Sequence, residues 1–174
     1  MHLGSPHGSG NKREEQEMAG LYYEEFQVGM VFDHATRRTV TEFDNMQFCA
    51  MTLNLAPLHL DYEYAKKSIY GQPLVNSLFT LGLVTGICMQ DTTQGTTLGN
   101  LGFEETKFPG PVFYGDTIRV RTEVLRMRES KSRNDSGIVT FRHQGINQRD
   151  EVVVDCIRAG LMLKRSAVEE SISA

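Results

Sequence analysis

The hydrophobic pattern changes period along the chain. From Phe26 to Val40 the segment FQVGMVFDHATRRTV alternates loosely, with a turn at Gly29 and β-branched residues at Val28, Val31, Thr36, Thr39 and Val40, so short peripheral strands are expected. In the next stretch Phe43, Met46, Ala50 and Leu53 recur at three- and four-residue spacing, which predicts a helix from Glu42 to about Leu53. Thr41 is its N-cap, and Glu42 and Asp44 complement the positive end of its dipole. Pro57 stops it, because proline lacks the donor a helix needs and disfavours helical geometry at Ala56. A short helix from Asp61 to Ile69 follows, with Asp61 as its cap.

After YGQP, Asn76 or Ser77 caps a second long helix, SLFTLGLVTGICMQ, apolar on nearly every face and punctuated by Gly82 and Gly86. Such a helix has to be buried, and a curved sheet is the expected cover. The rest reads as strands: TLGNLGFEETKF, then TIRVRTEVLRMRES, then GIVTFRHQGIN and EVVVDCIRAGLMLKR, with GPVFYGD and KSRNDSG as turns. In the second of these Ile118, Val120, Thr122 and Val124 alternate strictly with Arg119, Arg121 and Glu123. No strand-helix-strand alternation marks a parallel sheet, so the fold class is α+β: one domain, residues 21–166, built from an antiparallel sheet around one buried helix. Residues 1–20 read as a tag (MHLGSPHGSG) and a charged extension, and residues 167–174 as a frayed tail.

Composition narrows the function classes. The chain has 174 residues, 40% of them hydrophobic, enough for a real core. Its 18 Lys and Arg against 22 Asp and Glu give a net charge of −4, so no global positive field exists to hold a nucleic acid or an anionic membrane. The apolar run from Val75 to Met89 is interrupted by polar residues and falls short of the ~20 residues that span a bilayer. Cys49, Cys88 and Cys156 are odd in number and far apart, as expected of buried free thiols in a reducing, cytoplasmic compartment. With no paired-His motif, CxxC or phosphate-cradling glycine loop, neither a metal nor a redox cofactor is expected.

Two constellations carry candidate chemistry. In Asn54-Leu55-Ala56-Pro57-Leu58-His59-Leu60-Asp61 a rigid proline stands between a polar side chain and an imidazole. A histidine titrates near neutrality and can take a proton from water and return it, as hydration requires; spacing alone leans the other way, toward a loop histidine that merely bonds a carbonyl. At Asn76, Ser77 and Leu78 the free N–H groups of a helix start form an oxyanion site for a polarised carbonyl, a role compatible with ordinary capping. Arg126, Arg128, Lys131 and Arg133 outnumber the acid Glu129 around one turn, which is either a phosphate-binding patch or a solvated tip. His143 shares a face with Val139 and Phe141 and reads as a core or interface residue bonded to backbone, not a catalyst; Asp116 serves the turn before its strand.

The stretch NLAPLHLDYEYAKKSIYGQPLVNSLFTLGLV resembles the hydratase signature of the MaoC-like enoyl-CoA hydratases and dehydratases, of the form GDxNPxHxDxxxA followed by PxxHG. FPGPVFYGDTIRVRTEVL and GINQRDEVVV extend the resemblance, which covers nearly all of Phe26 to Arg165. It implies a hot-dog fold, a homodimer or higher homo-oligomer, and a CoA thioester as substrate with no separate cofactor. His59 falls on the family's catalytic histidine. Asn54 stands where the family commonly has its catalytic aspartate, and Asn76 and Ser77 replace the His-Gly pair. An amide cannot take a proton, so Asn54 is expected to position water, with His59 as the titrating group and Asp61 as a possible accessory carboxylate. Losing the negative charge also suits a substrate carrying its own carboxylate, and the pattern is similar to members assigned to mesaconyl-CoA or itaconyl-CoA hydration. A hot-dog acyl-CoA thioesterase and a non-catalytic acyl-CoA-binding protein are the alternatives.

Overall fold

The computed structural model describes residues 20–167; the expectations for the N-terminal tag and the C-terminal tail lie outside them. Strands β1 (Val31–Asp33) and β2 (Arg38–Thr39) are short, as their loose alternation implied. Helix α1 (Glu42–Met51) is followed by two single turns, α2 (Pro57–Leu60) and α3 (Tyr62–Ala65), and by the long helix α4 (Ser77–Thr92). The chain closes with β3 (Thr97–Lys107), β4 (Thr117–Glu129), β5 (Ser136–Ile146) and β6 (Val152–Leu163). All pairings are antiparallel, in the order β1-β4-β5-β6-β3, with β2 also on β4.

Local chemistry accounts for most of these boundaries. The Thr41 side chain accepts from Asp44 N while Asp44 bonds back to Thr41 N, a reciprocal cap that starts α1. The expected helix from Asp61 to Ile69 is a single turn instead: Asp61 does cap it, but the Ser68 hydroxyl takes the Ala65 carbonyl at 2.7 Å and the chain leaves the helix there. Pro57, expected only to end a helix, also begins one, since its fixed φ suits the first helical position.

Helix α4 lies against the inner faces of β4, β5 and β6. Val84, Ile87 and Cys88 pack on Ile118, Val120, Val154 and Cys156, the inward half of each strand's alternation. Gly145 makes this approach possible: a Cβ there would stand 2.5 Å from Val84 Cγ2. The expectation of burial on every face is corrected. Leu78 and Met89 are 59% and 44% exposed and Gly82 and Gly86 face open space, so the sheet covers one side of α4 only. A second cluster, Phe26, Val124, Val139, Phe141 and Met162, fills the other end.

Between the two clusters runs a buried polar chain. Arg158 Nε donates to His143 Nε2 at 3.3 Å, so His143 carries its own proton on Nδ1 and gives it to Thr122 Oγ1 at 2.8 Å. Thr122 then donates to His34 Nε2, and His34 Nδ1 to Asp91 Oδ2, each at 2.8 Å. Every donor points from the buried guanidinium toward a half-exposed carboxylate. His143 is thus a core histidine held by side chains, and the expected backbone partner is corrected. The reason is register: β4 and β5 place Thr122 directly opposite it.

Candidate active site

The C-terminal end of α1 and the segment before α4 are drawn together around His59. Leu53, at φ 57° in the left-handed region, closes α1 and lets Asn54 N reach the Cys49 carbonyl at 3.0 Å; this conformation costs a non-glycine residue about 1 kcal/mol or more. The chain then turns through α2 and runs beside the approach to α4, where Leu74 N bonds Leu58 O at 3.1 Å.

The His59 ring is anchored by Nδ1, 2.7 Å from the Leu74 carbonyl oxygen. A carbonyl accepts only, so Nδ1 is the protonated nitrogen and Nε2 carries the lone pair. His59 is half-buried, and the residue that holds its ring, Leu74, stands two positions before the α4 cap in the chain. Asn76 caps α4 by accepting from Leu78 N at 2.9 Å, and its own N–H goes to Asn45 Oδ1 at 2.8 Å. Of the three amides expected to face a ligand, those of Asn76 and Leu78 are therefore committed within the protein. The Ser77 N–H has no protein partner among the described residues.

Ser77 also lines a cavity of about 180 Å³ with Tyr70, Leu74, Thr80, Phe108 and Val153; among the described residues no charged side chain borders it, and neither His59 nor Asn54 is part of its lining. The Asn54 Oδ1 accepts a long bond, 3.4 Å, from Ala56 N. Asp61 is exposed and its Oδ1 is taken by Glu63 N and Tyr64 N at 2.9 and 3.0 Å, so it acts as the α3 cap. The four cations do not form one patch. Arg126 pairs with Glu104 across the sheet at 2.5 Å, and Arg133 is gripped by Asp135, whose carboxyl is held down at about 2 by that guanidinium. Among the described residues Arg128 reaches only the Glu129 carbonyl, at 3.4 Å, and Lys131 lies on the open turn. Counting charges along the chain missed Glu104, which folding brings from β3.

Sequence reasoning also missed Asn45 and Tyr114. Asn45 is fully buried and donates to the His59 carbonyl at 3.1 Å and to Tyr114 Oη at 3.0 Å; Tyr114 donates to the same carbonyl at 3.1 Å. The available signal was a polar residue one turn before the buried Cys49, on the inward face of α1.

Residues 25–145 match the MaoC like domain. The chain belongs to the MaoC-like family. It is 30% identical over 146 residues to β-methylmalyl-CoA dehydratase of Chloroflexus aurantiacus and 31% over 147 residues to mesaconyl-CoA hydratase of Cereibacter sphaeroides, in each case over 84% of this chain. The alignments cover 41% and 42% of those proteins, so the MaoC-like chain spans about two fifths of their length. The solved MaoC-like dehydratase of Rhodospirillum rubrum is 30% identical with a TM-score of 0.73, covering 84% of this chain and 99% of that one. The fold is the hot dog, an antiparallel sheet around α4.

Proposed function

We propose that this MaoC-like chain adds water to the double bond of an α,β-unsaturated acyl-CoA, and removes it in reverse, with His59 as the proton carrier. The bond from His59 Nδ1 to Leu74 O is the observation that carries this reading, since it leaves the lone pair on Nε2 of a ring anchored three residues before α4 begins. Nε2 takes a proton from water as the oxygen bonds to Cβ. The π electrons move to the thioester oxygen, where the Ser77 N–H receives the developing charge. The enolate collapses as Nε2–H returns its proton to Cα. One imidazole serves as base and then acid, so both additions occur on one face, and Asn54 orients the water through its amide.

The proposed acyl group is short and carries a second carboxylate, as in a branched C5 dicarboxylyl-CoA. The small cavity beside Ser77, with no charged side chain among its described lining residues, supports the first point and the neutral Asn54 the second, with the names of the two curated relatives as background. In Asn54→Asp a new carboxylate about 5 Å from the substrate's own, at an effective dielectric near 20, repels it by about 3 kcal/mol, or roughly 100-fold. Loss of conjugated-thioester absorbance is the assay. Asn54→Asp is expected to lose mesaconyl-CoA hydration by about that factor and to retain crotonyl-CoA hydration; equal losses on both would remove the dicarboxylyl assignment. Release of free thiol in place of hydration would favour the thioesterase reading.

The site is proposed to work in a homo-oligomer, smallest form a dimer, in a reducing compartment where the buried free cysteines stay reduced. The sheet ends on β3, an edge of eleven residues with Leu98, Leu101 and Phe103 each at least 40% exposed, and the uncovered side of α4 is apolar. Exposed apolar side chains on a long edge favour a partner there. Light scattering after gel filtration is expected to give at least twice the 19.6 kDa chain mass; a monomer at micromolar concentration would contradict this.

A further inference from the structure

We propose that Asn45 is a positioning residue that sets the spacing between the His59 ring and the Ser77 amide. The inference builds on the hydration reading. Its two ends would be the proton carrier and the carbonyl-polarising donor, and Asn45 is bonded to the backbone of both segments: to His59 through its Nδ2, and to Asn76, the residue before Ser77, through its Oδ1.

The orientation of this side chain is forced. Flipping the amide would set Oδ1 against the His59 carbonyl and Nδ2 against the Asn76 N–H, turning two hydrogen bonds into two repulsions. Only a planar group with donors at one end and an acceptor at the other fits. Aspartate has the shape without the donors, and leucine would strand the buried Asn76 N–H. Asn45 lies on α1, a regular element, and is fully buried, so it transmits a fixed distance from a rigid support. Tyr114 Oη closes a triangle with Asn45 and the His59 carbonyl, adding a second donor to the same oxygen. Without these bonds the His59 backbone loses its hold, and the ring contact to the Leu74 carbonyl that fixes the Nδ1–H tautomer loosens with it. A displacement near 1 Å between reacting groups costs about 100-fold in rate.

Asn45→Asp is the sharpest test because it changes donors and not size. It is expected to lower kcat about 100-fold with KM within about threefold. The ratio of variant to wild-type kcat should rise as pH falls, because protonating the introduced carboxyl restores a donor toward His59 O. A readout independent of turnover is the ¹⁵N spectrum of the His59 ring: one Nδ1–H tautomer in the wild type, a mixture in the variant. Wild-type kcat together with an unchanged ring spectrum would overturn the proposal, even with His59→Ala inactive. If the wild type hydrates no thioester, the hydration reading falls and the ring spectrum alone decides, a single unchanged tautomer in Asn45→Asp counting against positioning and a mixture for it. If Asn45→Asp does not fold, Tyr114→Phe takes its place. A several-fold loss of kcat with a mixed ring spectrum supports the inference, and wild-type values of both sink it.

Discussion

Replacing His59 by alanine is expected to lower kcat for thioester hydration by about 10³- to 10⁴-fold. General acid–base catalysis by one positioned group contributes about 10²- to 10⁴-fold, and here one imidazole is asked to move both protons. The value lies at the upper end because Asn54 cannot titrate and Asp61 is spent on capping α3, so neither offers a second base. The Ser77 amide would still bind the thioester oxygen, so KM should change little. His59→Asn separates chemistry from anchoring: its amide can donate to the Leu74 carbonyl as Nδ1–H does, but it cannot take a proton from water. Both variants should be equally inactive by absorbance assay while remaining folded by circular dichroism. Activity within tenfold of wild type in either would remove His59 as the proton carrier.

What could be read in the sequence was whatever depends on near neighbours. The alternation from Ile118 to Val124 fixes which side of β4 faces α4, and the Thr41 and Asn76 caps set where two helices begin; each involves partners within three residues. The proline loop and His59 stood out for the same reason. Contacts made by folding were not legible. Asn45 meets residues 14, 31 and 69 positions away, and nothing in EFDNMQFCAM separates such an asparagine from a solvated one except its helical phase. The pairing of Arg126 with Glu104 crosses the sheet, so a count of charges around the turn overstated its field. The apolar character of α4 is a demand for burial, and the described residues of one chain supply cover for only one side of it. That unmet demand is itself information, and with the bare edge of β3 it is the reason for proposing an oligomer.

The largest stability effect belongs to His143, and it is expected to appear as acid sensitivity. Burial, then the Arg158 cation, then His34 push its pKa down to about 3 from the ordinary 6.5. The folded state therefore refuses a proton that the unfolded chain accepts. Stability is complete above about pH 6.5, falls as pH drops below that value, and the loss is complete only below the folded-state pKa. By linkage the loss is about 1 to 2 kcal/mol between roughly pH 7.5 and pH 5.5, growing to about 4 kcal/mol near pH 3. The geometry gives the cause. Nε2 of His143 accepts from Arg158 Nε, and a protonated ring would point N–H against N–H beside a buried guanidinium. Asp116 and Asp155, both lowered carboxylates, titrate at lower pH and leave the upper window to histidine. Urea denaturation at the two upper pH values should show this loss in the wild type and a flatter profile in His143→Asn, which cannot take up a proton. Parallel profiles for the two proteins would show that some other group carries the acid response, and that the side-chain chain from Arg158 to Asp91 does not hold His143 neutral.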